Sequence, residues 1–225
     1  MYIQITQKCN FHCYHCAFAC GPNGKHMTQK VFDAALTICE SECVTIGGGE
    51  PTLHPHFWTF LAKAIAHCES VWMATNGSQT ETALTLAKMA QKGVISCALS
   101  QDQYHDPIDP RVVEAFTVKK NPQFPYRQNE HDQREIRNVS SKIPLVVNNS
   151  IVYPLNYLAP FRNPENGGDP ENCPCDDVIV TPSGKVRFCG CHNAPVIGDI
   201  FNGFQKPKSS EEYECWYQYQ KALKE

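Results

Sequence analysis

The sequence predicts an α/β fold built around a parallel β-sheet, and two observations support this prediction. The first hundred residues alternate short apolar runs with segments of helical periodicity, which is the pattern of successive βαβ units. The residues with the most distinctive chemistry (cysteines, a glycine run and an Asn-Gly pair) directly follow the predicted strands. In a parallel sheet such positions share one edge, where α/β folds bind their ligands.

The predicted strands are short and apolar, and they cover residues 2–6, 43–46, 71–75 and 94–99. Apolar residues recur three and four positions apart between these strands, which predicts helices over residues 28–40, 55–67 and 80–91. Thr28 is a suitable N-cap for the first helix, and Gly93 is a suitable stop after the third.

Signals in the second half of the chain are fewer. They predict a short helix over residues 110–117, a fifth strand over 145–152, and a β-hairpin of strands 178–181 and 185–188 around a Pro-Ser-Gly turn. We expect a core domain over residues 1–153, followed by a linker and a cysteine-rich region over residues 154–225.

Composition narrows the class of protein. The chain has 225 residues, is 42% hydrophobic and carries a formal charge of -3, which argues against a basic nucleic-acid surface along its whole length. No run approaches the roughly 18 apolar residues of a membrane-spanning helix, and no signal peptide is apparent. We therefore expect a cytoplasmic protein. In that setting its 13 cysteines favour metal ligation over disulfides.

The first cysteine cluster, Cys9, Cys13 and Cys16, has the spacing C-x3-C-x2-C on a loop after the first strand. Three thiolates can ligate three irons of a cubane cluster and leave the fourth iron open, which a catalytic site requires. Two alternatives remain: Cys20 as a fourth ligand of a closed cluster, or a zinc site.

A second motif, Gly-Gly-Gly-Glu-Pro at residues 47–51, follows the second strand. Glycine lets a ligand approach the main chain where a Cβ would stand in the way. Together with the cysteine loop, this motif resembles the radical S-adenosylmethionine (radical SAM) superfamily. The resemblance implies a partial (β/α)6 TIM-like barrel and a [4Fe–4S] cluster whose open iron binds S-adenosylmethionine. It also implies reductive cleavage of that cofactor to a 5′-deoxyadenosyl radical, with an electron supplied by a reductant such as flavodoxin or ferredoxin.

The resemblance further implies which residues contact the cofactor. They are His15, Gly48, Gly49, Glu50, Pro51, Thr75, Asn76, Ser100 and Asp102. The residues that act on the substrate are not identified by any motif, and Asp102 and His105 are the candidates for acid/base chemistry.

The second cysteine cluster surrounds the predicted hairpin. It comprises Cys173, Cys175, Cys189, Cys191 and Cys215. It resembles part of the twitch and SPASM extensions of radical SAM enzymes, although it is shorter than a full extension. The resemblance implies one auxiliary Fe–S cluster, and a structural zinc site is the alternative.

The substrate is not determined by these motifs. Hydrogen abstraction from a peptide or small molecule is the leading hypothesis, and radical modification of a nucleotide or nucleobase is an alternative. A non-catalytic Fe–S electron carrier would explain the cysteines but not residues 47–51. Cleavage of a different sulfur–carbon bond, which would release methylthioadenosine, is also open.

Overall fold

The computed structural model describes residues 1–13, 16, 18, 20–39, 43–100, 105–116, 147–148, 178–188 and 194–205. The strands are β1 (Tyr2–Thr6), β2 (Cys43–Gly48), β3 (Ser70–Thr75), β4 (Ser96–Ser100), β5 (Val147–Asn148), β6 (Ile179–Val180), β7 (Lys185–Arg187), β8 (Val196–Asp199) and β9 (Gly203–Phe204). The helices are α1 (Gln29–Ile38), α2 (Phe57–His67), α3 (Thr80–Gln91) and α4 (Pro110–Phe116), and Pro51–Leu53 forms a single 3-10 turn.

All nine strands belong to one sheet in the order β5-β4-β3-β2-β1-β6-β7-β8-β9. Pairing is parallel from β5 through β1 to β6 and antiparallel from β6 to β9. The predicted α/β class is confirmed, and ordered parallel strands with intervening helices fit a partial (β/α)6 barrel. The predicted hairpin is present as β6 and β7. It continues the sheet beside β1, where Tyr2 pairs with Ile179.

Alternation along β1 separates the core from the site. Ile3 and Ile5 are fully buried in an apolar core that they share with α1 and α2. The intervening residues Gln4 and Thr6 are buried polar side chains. Because successive strand residues face opposite sides of a sheet, Gln4 and Thr6 point away from the helices, toward the side that carries the cysteine loop.

Helices α1 and α2 pack against each other through an aromatic contact. The rings of Phe32 in α1 and Phe60 in α2 stack with centroids 4.1 Å apart, and both side chains are fully buried. Burial of each such ring contributes about 1.5–3 kcal/mol. Thr28 caps α1 as predicted, accepting the Val31 N–H. None of the described helices is long and apolar enough to cross a membrane.

Candidate active site

The cysteine loop is anchored beside the end of β1. The Cys9 N–H donates to the Gly21 carbonyl at 2.9 Å, and the Gly21 N–H donates to the Gln7 carbonyl at 3.2 Å. Within the loop, the Cys16 N–H donates to the Cys13 carbonyl at 3.2 Å. These backbone bonds hold the start and the end of the loop together, so the segment that carries the three cysteines begins and ends beside β1.

The glycine run at the end of β2 lies directly against the cysteine loop. The Gly49 N–H donates to the Thr6 carbonyl, and the Glu50 N–H donates to the Lys8 carbonyl, both at 2.9 Å. A Cβ on Gly48 would lie 2.1 Å from the Thr6 oxygen, and Gly48 has a φ of 150°. A Cβ on Gly49 would lie 2.4 Å from the Lys8 oxygen. Only glycine permits this approach of the two backbones.

The carboxylate of Glu50 lies at the centre of the strand ends and is 1% exposed. Its Oε1 accepts the N–H and hydroxyl of Thr52 at 3.1 and 2.6 Å and the hydroxyl of Thr75 at 2.8 Å. Its Oε2 accepts the Asn76 N–H at 2.6 Å. Burial raises the pKa of the Glu50 carboxyl, while these four hydrogen bonds act in the opposite direction.

The end of β3 reaches the cysteine loop through amide side chains. The Asn76 Nδ2 donates to Asn10 Oδ1 at 3.2 Å and lies 3.9 Å from the Cys9 sulfur. The Ser78 hydroxyl donates to the same Asn10 oxygen at 3.2 Å. Thr75 and Asn76 therefore lie beside both predicted cofactor motifs, as the parallel topology requires.

The thiols of the loop differ in their surroundings. Burial raises the pKa of Cys9, with the nearby charges of Glu50 and Cys16 adding to the effect. Hydrogen bonding to Cys16, together with burial, raises the pKa of Cys20 far above the ordinary range. The eight described cysteines are Cys9, Cys13, Cys16, Cys20, Cys39, Cys43, Cys68 and Cys97, and none of them forms a disulfide.

The donor set of the loop fits an iron–sulfur cluster. Three thiols on one segment are the ligands that such clusters take. Within the described parts of the chain, no three Cys, His, Asp or Glu side chains converge on the position of a single metal ion. A cubane places each thiolate on its own iron, so its three ligands need not converge in that way.

A buried histidine that was not predicted, His54, follows the glycine turn directly after the 3-10 helix. His54 is 3% exposed, its Nε2 lies 2.9 Å from the Met27 carbonyl, and its Nδ1 accepts the His56 N–H at 3.0 Å. The Met27 carbonyl can only accept, so Nε2 carries the proton. Burial lowers the pKa of His54. Its ring also contacts His26 with centroids 5.0 Å apart. The sequence offered no signal beyond a His two residues before another His.

The remaining predicted residues divide into two groups. Ser100 ends β4, and His105 contacts Phe11 of the cysteine loop in an edge-on arrangement with ring centroids 6.1 Å apart. The others lie outside the described residues: His15, Asp102, Cys173, Cys175, Cys189, Cys191 and Cys215.

Comparison with known protein families identifies the superfamily. The family model described as "Radical SAM superfamily" matches residues 3–120, which is more than half of the chain. The chain therefore belongs to the radical SAM superfamily and is a radical SAM enzyme. Membership implies a [4Fe–4S] cluster and S-adenosylmethionine.

Several mycobacterial proteins are similar to part of the chain. Mycofactocin maturase MftC of Mycobacterium ulcerans (strain Agy99) is 32% identical over 103 residues, which are 44% of this chain and 28% of the relative. The MftC of Mycobacterium tuberculosis (strain CDC 1551 / Oshkosh) is 37% identical over 78 residues, which are 33% and 20% of the two chains. The matched segment thus spans about a quarter of the length of these relatives.

A solved structure, native anSMEcpe with bound AdoMet and Kp18Cys peptide, is also similar. It has a TM-score of 0.40 and 21% sequence identity, and the match covers 52% of this chain and 39% of that one.

Proposed function

We propose that Cys9, Cys13 and Cys16 hold a [4Fe–4S] cluster with one open iron, and that the enzyme abstracts a hydrogen atom from a peptide or small-molecule substrate. When bound, the cluster and S-adenosylmethionine supply the radical that begins this chemistry. The observation that carries the proposal is the close approach of Gly48 and Gly49 to residues 6–9, since it joins the glycine turn to the loop of the thiols.

Each part of the proposed site has its own task. Cys9, Cys13 and Cys16 supply the thiolates, and the backbone at Gly48, Gly49 and Pro51 leaves room for the cofactor. Glu50 fixes this turn against Thr75 and Asn76. The proposed cofactor contacts further include His15, Ser100 and Asp102. For acid/base work we retain Asp102 and His105, of which His105 already contacts the loop through Phe11.

A peptide is the substrate class that the relatives favour, because the proteins similar to this chain are named as maturases. The matched segment covers only about a quarter of those proteins, so a small molecule or a nucleotide stays an alternative. We propose that the electron comes from a flavodoxin or ferredoxin and that the enzyme acts in the cytoplasm.

We also propose that Cys173, Cys175, Cys189, Cys191 and Cys215 provide the ligands of one auxiliary Fe–S cluster. The support is their spacing around the β6–β7 hairpin, whose strands are present. Anaerobically reconstituted protein should then contain about eight irons per chain, from two cubane clusters. Four irons and one tightly held zinc per chain would instead indicate that these cysteines form a structural zinc site.

The proposed reaction is tested by incubating reconstituted, reduced protein with S-adenosylmethionine and separating the nucleosides. Release of 5′-deoxyadenosine supports the proposal, and a Cys13→Ala variant should abolish the release. Methylthioadenosine in its place would show cleavage of another sulfur–carbon bond. Absence of both nucleosides from protein with a full complement of iron would favour an electron carrier.

A further inference from the structure

Cys20 lies close to the proposed cluster ligands and has no role in the motif. Its backbone N–H donates to the Cys16 sulfur at 3.4 Å. The Cys20 side chain is only partly buried. A cysteine at this place could serve as a fourth ligand or as a support for one of the three others.

The contacts of the Cys20 thiol argue against its ligation of the cluster. A cysteine that ligates iron is a thiolate and has no proton to donate. The Cys20 thiol instead donates to a backbone carbonyl, that of Phe18. The spacing of the motif assigns Cys16 to the cluster. Cys20 therefore contacts a ligand of the cluster without being a ligand itself.

The Cys20 side chain is tied down by two groups that are not ligands. The amide Nε2 of Gln4 donates to the Cys20 sulfur at 3.8 Å, and the Cys20 thiol donates to the Phe18 carbonyl at 3.8 Å. Gln4 is 3% exposed and lies in the middle of β1. Through these contacts the strand fixes the position of the Cys20 N–H that faces Cys16.

We propose that Cys20 is a positioning residue that directs a hydrogen bond to the Cys16 sulfur and is held in place by Gln4, so that the cluster keeps three protein ligands. This inference rests on the proposed function of the loop. Hydrogen bonds to a ligating sulfur stabilise the more negative, reduced state, and outer-shell contacts also orient the ligand. The arrangement therefore raises the reduction potential of the cluster and leaves the open iron free.

The test compares Cys20→Ala, Cys20→Ser, Gln4→Met and the double variant Cys20→Ala/Gln4→Met with the unmodified protein, all in the full-length chain after anaerobic reconstitution. Cys68→Ala is the matched control, because Cys68 is a buried cysteine at the end of α2 with no contact to the loop cysteines. Two quantities are measured: iron and sulfide per chain, and the midpoint potential of the EPR signal that changes when S-adenosylmethionine is added.

All variants should retain the iron content of the unmodified protein. Cys20→Ala and Gln4→Met should each shift the midpoint to more negative potential. Cys20→Ser should stay near the unmodified value, because its hydroxyl can replace the thiol in both side-chain contacts. The double variant should shift no further than the larger single shift, since both changes release the same N–H. The control should not shift.

Loss of the S-adenosylmethionine-responsive signal in Cys20→Ala, with a fall in iron, would make Cys20 a ligand and overturn the inference. Unchanged potentials in Cys20→Ala and Gln4→Met would overturn it as well. In both cases the proposed function survives if the unmodified protein responds to S-adenosylmethionine. A signal in the unmodified protein that never responds would overturn the inference and the proposed function together.

Discussion

The carboxylate of Glu50 ties the ends of β2 and β3 together, because the backbone N–H of Asn76 donates to its Oε2 at 2.6 Å. The Thr75 hydroxyl donates to the other oxygen at 2.8 Å. Asn76 in turn reaches Asn10 of the cysteine loop. A single buried carboxylate therefore connects the glycine turn, the third strand and, through Asn76, the loop that carries the proposed cluster ligands.

We expect Glu50→Gln to lower the free energy of unfolding by about 1–3 kcal/mol, because an amide nitrogen cannot accept and leaves a buried donor without a partner. Binding of S-adenosylmethionine should weaken in the same variant, since the turn is no longer held against β3. Urea unfolding and calorimetric titration measure the two effects.

Glu81→Gln is the matched control for this substitution. Glu81 is exposed on α3, and its pair with Arg111 at 3.6 Å lies at the surface, so the change should stay within about 0.5 kcal/mol. Equal losses in the two variants would show that Glu50 does not brace the strand ends.

A second prediction concerns the close backbone approach at the glycine turn. Gly48→Ala and Gly49→Ala should each destabilise the protein and abolish release of 5′-deoxyadenosine, because the new methyl group would collide with a backbone oxygen. Backbone atoms cannot move aside as a flexible side chain would. Thermal unfolding and the nucleoside assay report the two consequences.

Gly21→Ala provides the control at a glycine on the other side of the same loop. A Cβ at Gly21 meets no atom within 4 Å, and Gly21 is not among the described glycines with positive φ. This variant should keep stability and activity. If Gly48→Ala were as active as Gly21→Ala, the turn would not require the observed contact.

A third prediction follows from His54. Burial lowers the pKa of His54 below its ordinary value of 6.5, so the unfolded chain binds more protons than the folded one. The contribution to stability is therefore complete above pH 6.5 and is lost as the pH falls below it. His54→Phe should unfold with a shallower pH dependence below pH 6.5 and should be less stable by about 1–3 kcal/mol at neutral pH, because two buried partners lose their hydrogen bonds.

Urea denaturation at a series of pH values measures this dependence. His26, whose pKa is also lowered by burial, contributes in the same direction and is retained, so the slope should decrease without vanishing. His67→Gln changes an exposed histidine at the end of α2 and should alter the free energy of unfolding at neutral pH by less than about 0.5 kcal/mol. Identical slopes for His54→Phe and the unmodified protein would contradict the lowered pKa of His54.

Much of the fold follows from local sequence patterns. α3 has the predicted bounds, and α1 differs from its prediction only by its terminal residues, because periodic apolar residues and the Thr28 cap specify helices locally.

The strands β8 and β9 were not predicted. They have only four and two residues, and they contain Gly198 and Gly203, whose φ values are positive. Glycines in such short segments are typical of a loop in the sequence. The pairing of β6 with β1 joins residues far apart in sequence and involves only two register positions, which no local pattern encodes.

The candidate site was predictable where a motif and the topology agree. The thiols, the glycine turn, Thr75 and Asn76 lie at one edge because parallel strands end there. The contacts of His54 and of Cys20 with Gln4 were not predictable, since they depend on which side chains face each other across folded segments. The roles of His15, Asp102 and the C-terminal cysteines stay predictions.

The central claim is that the cluster on Cys9, Cys13 and Cys16 has an open iron that binds S-adenosylmethionine. It is tested most directly by electron–nuclear double resonance on the reduced, reconstituted protein with cofactor labelled in its amino nitrogen and carboxylate oxygens. We predict hyperfine coupling from both labels to the cluster, and its loss in Cys13→Ala. A reduced cluster with full iron content that shows no coupling to either label would contradict the account.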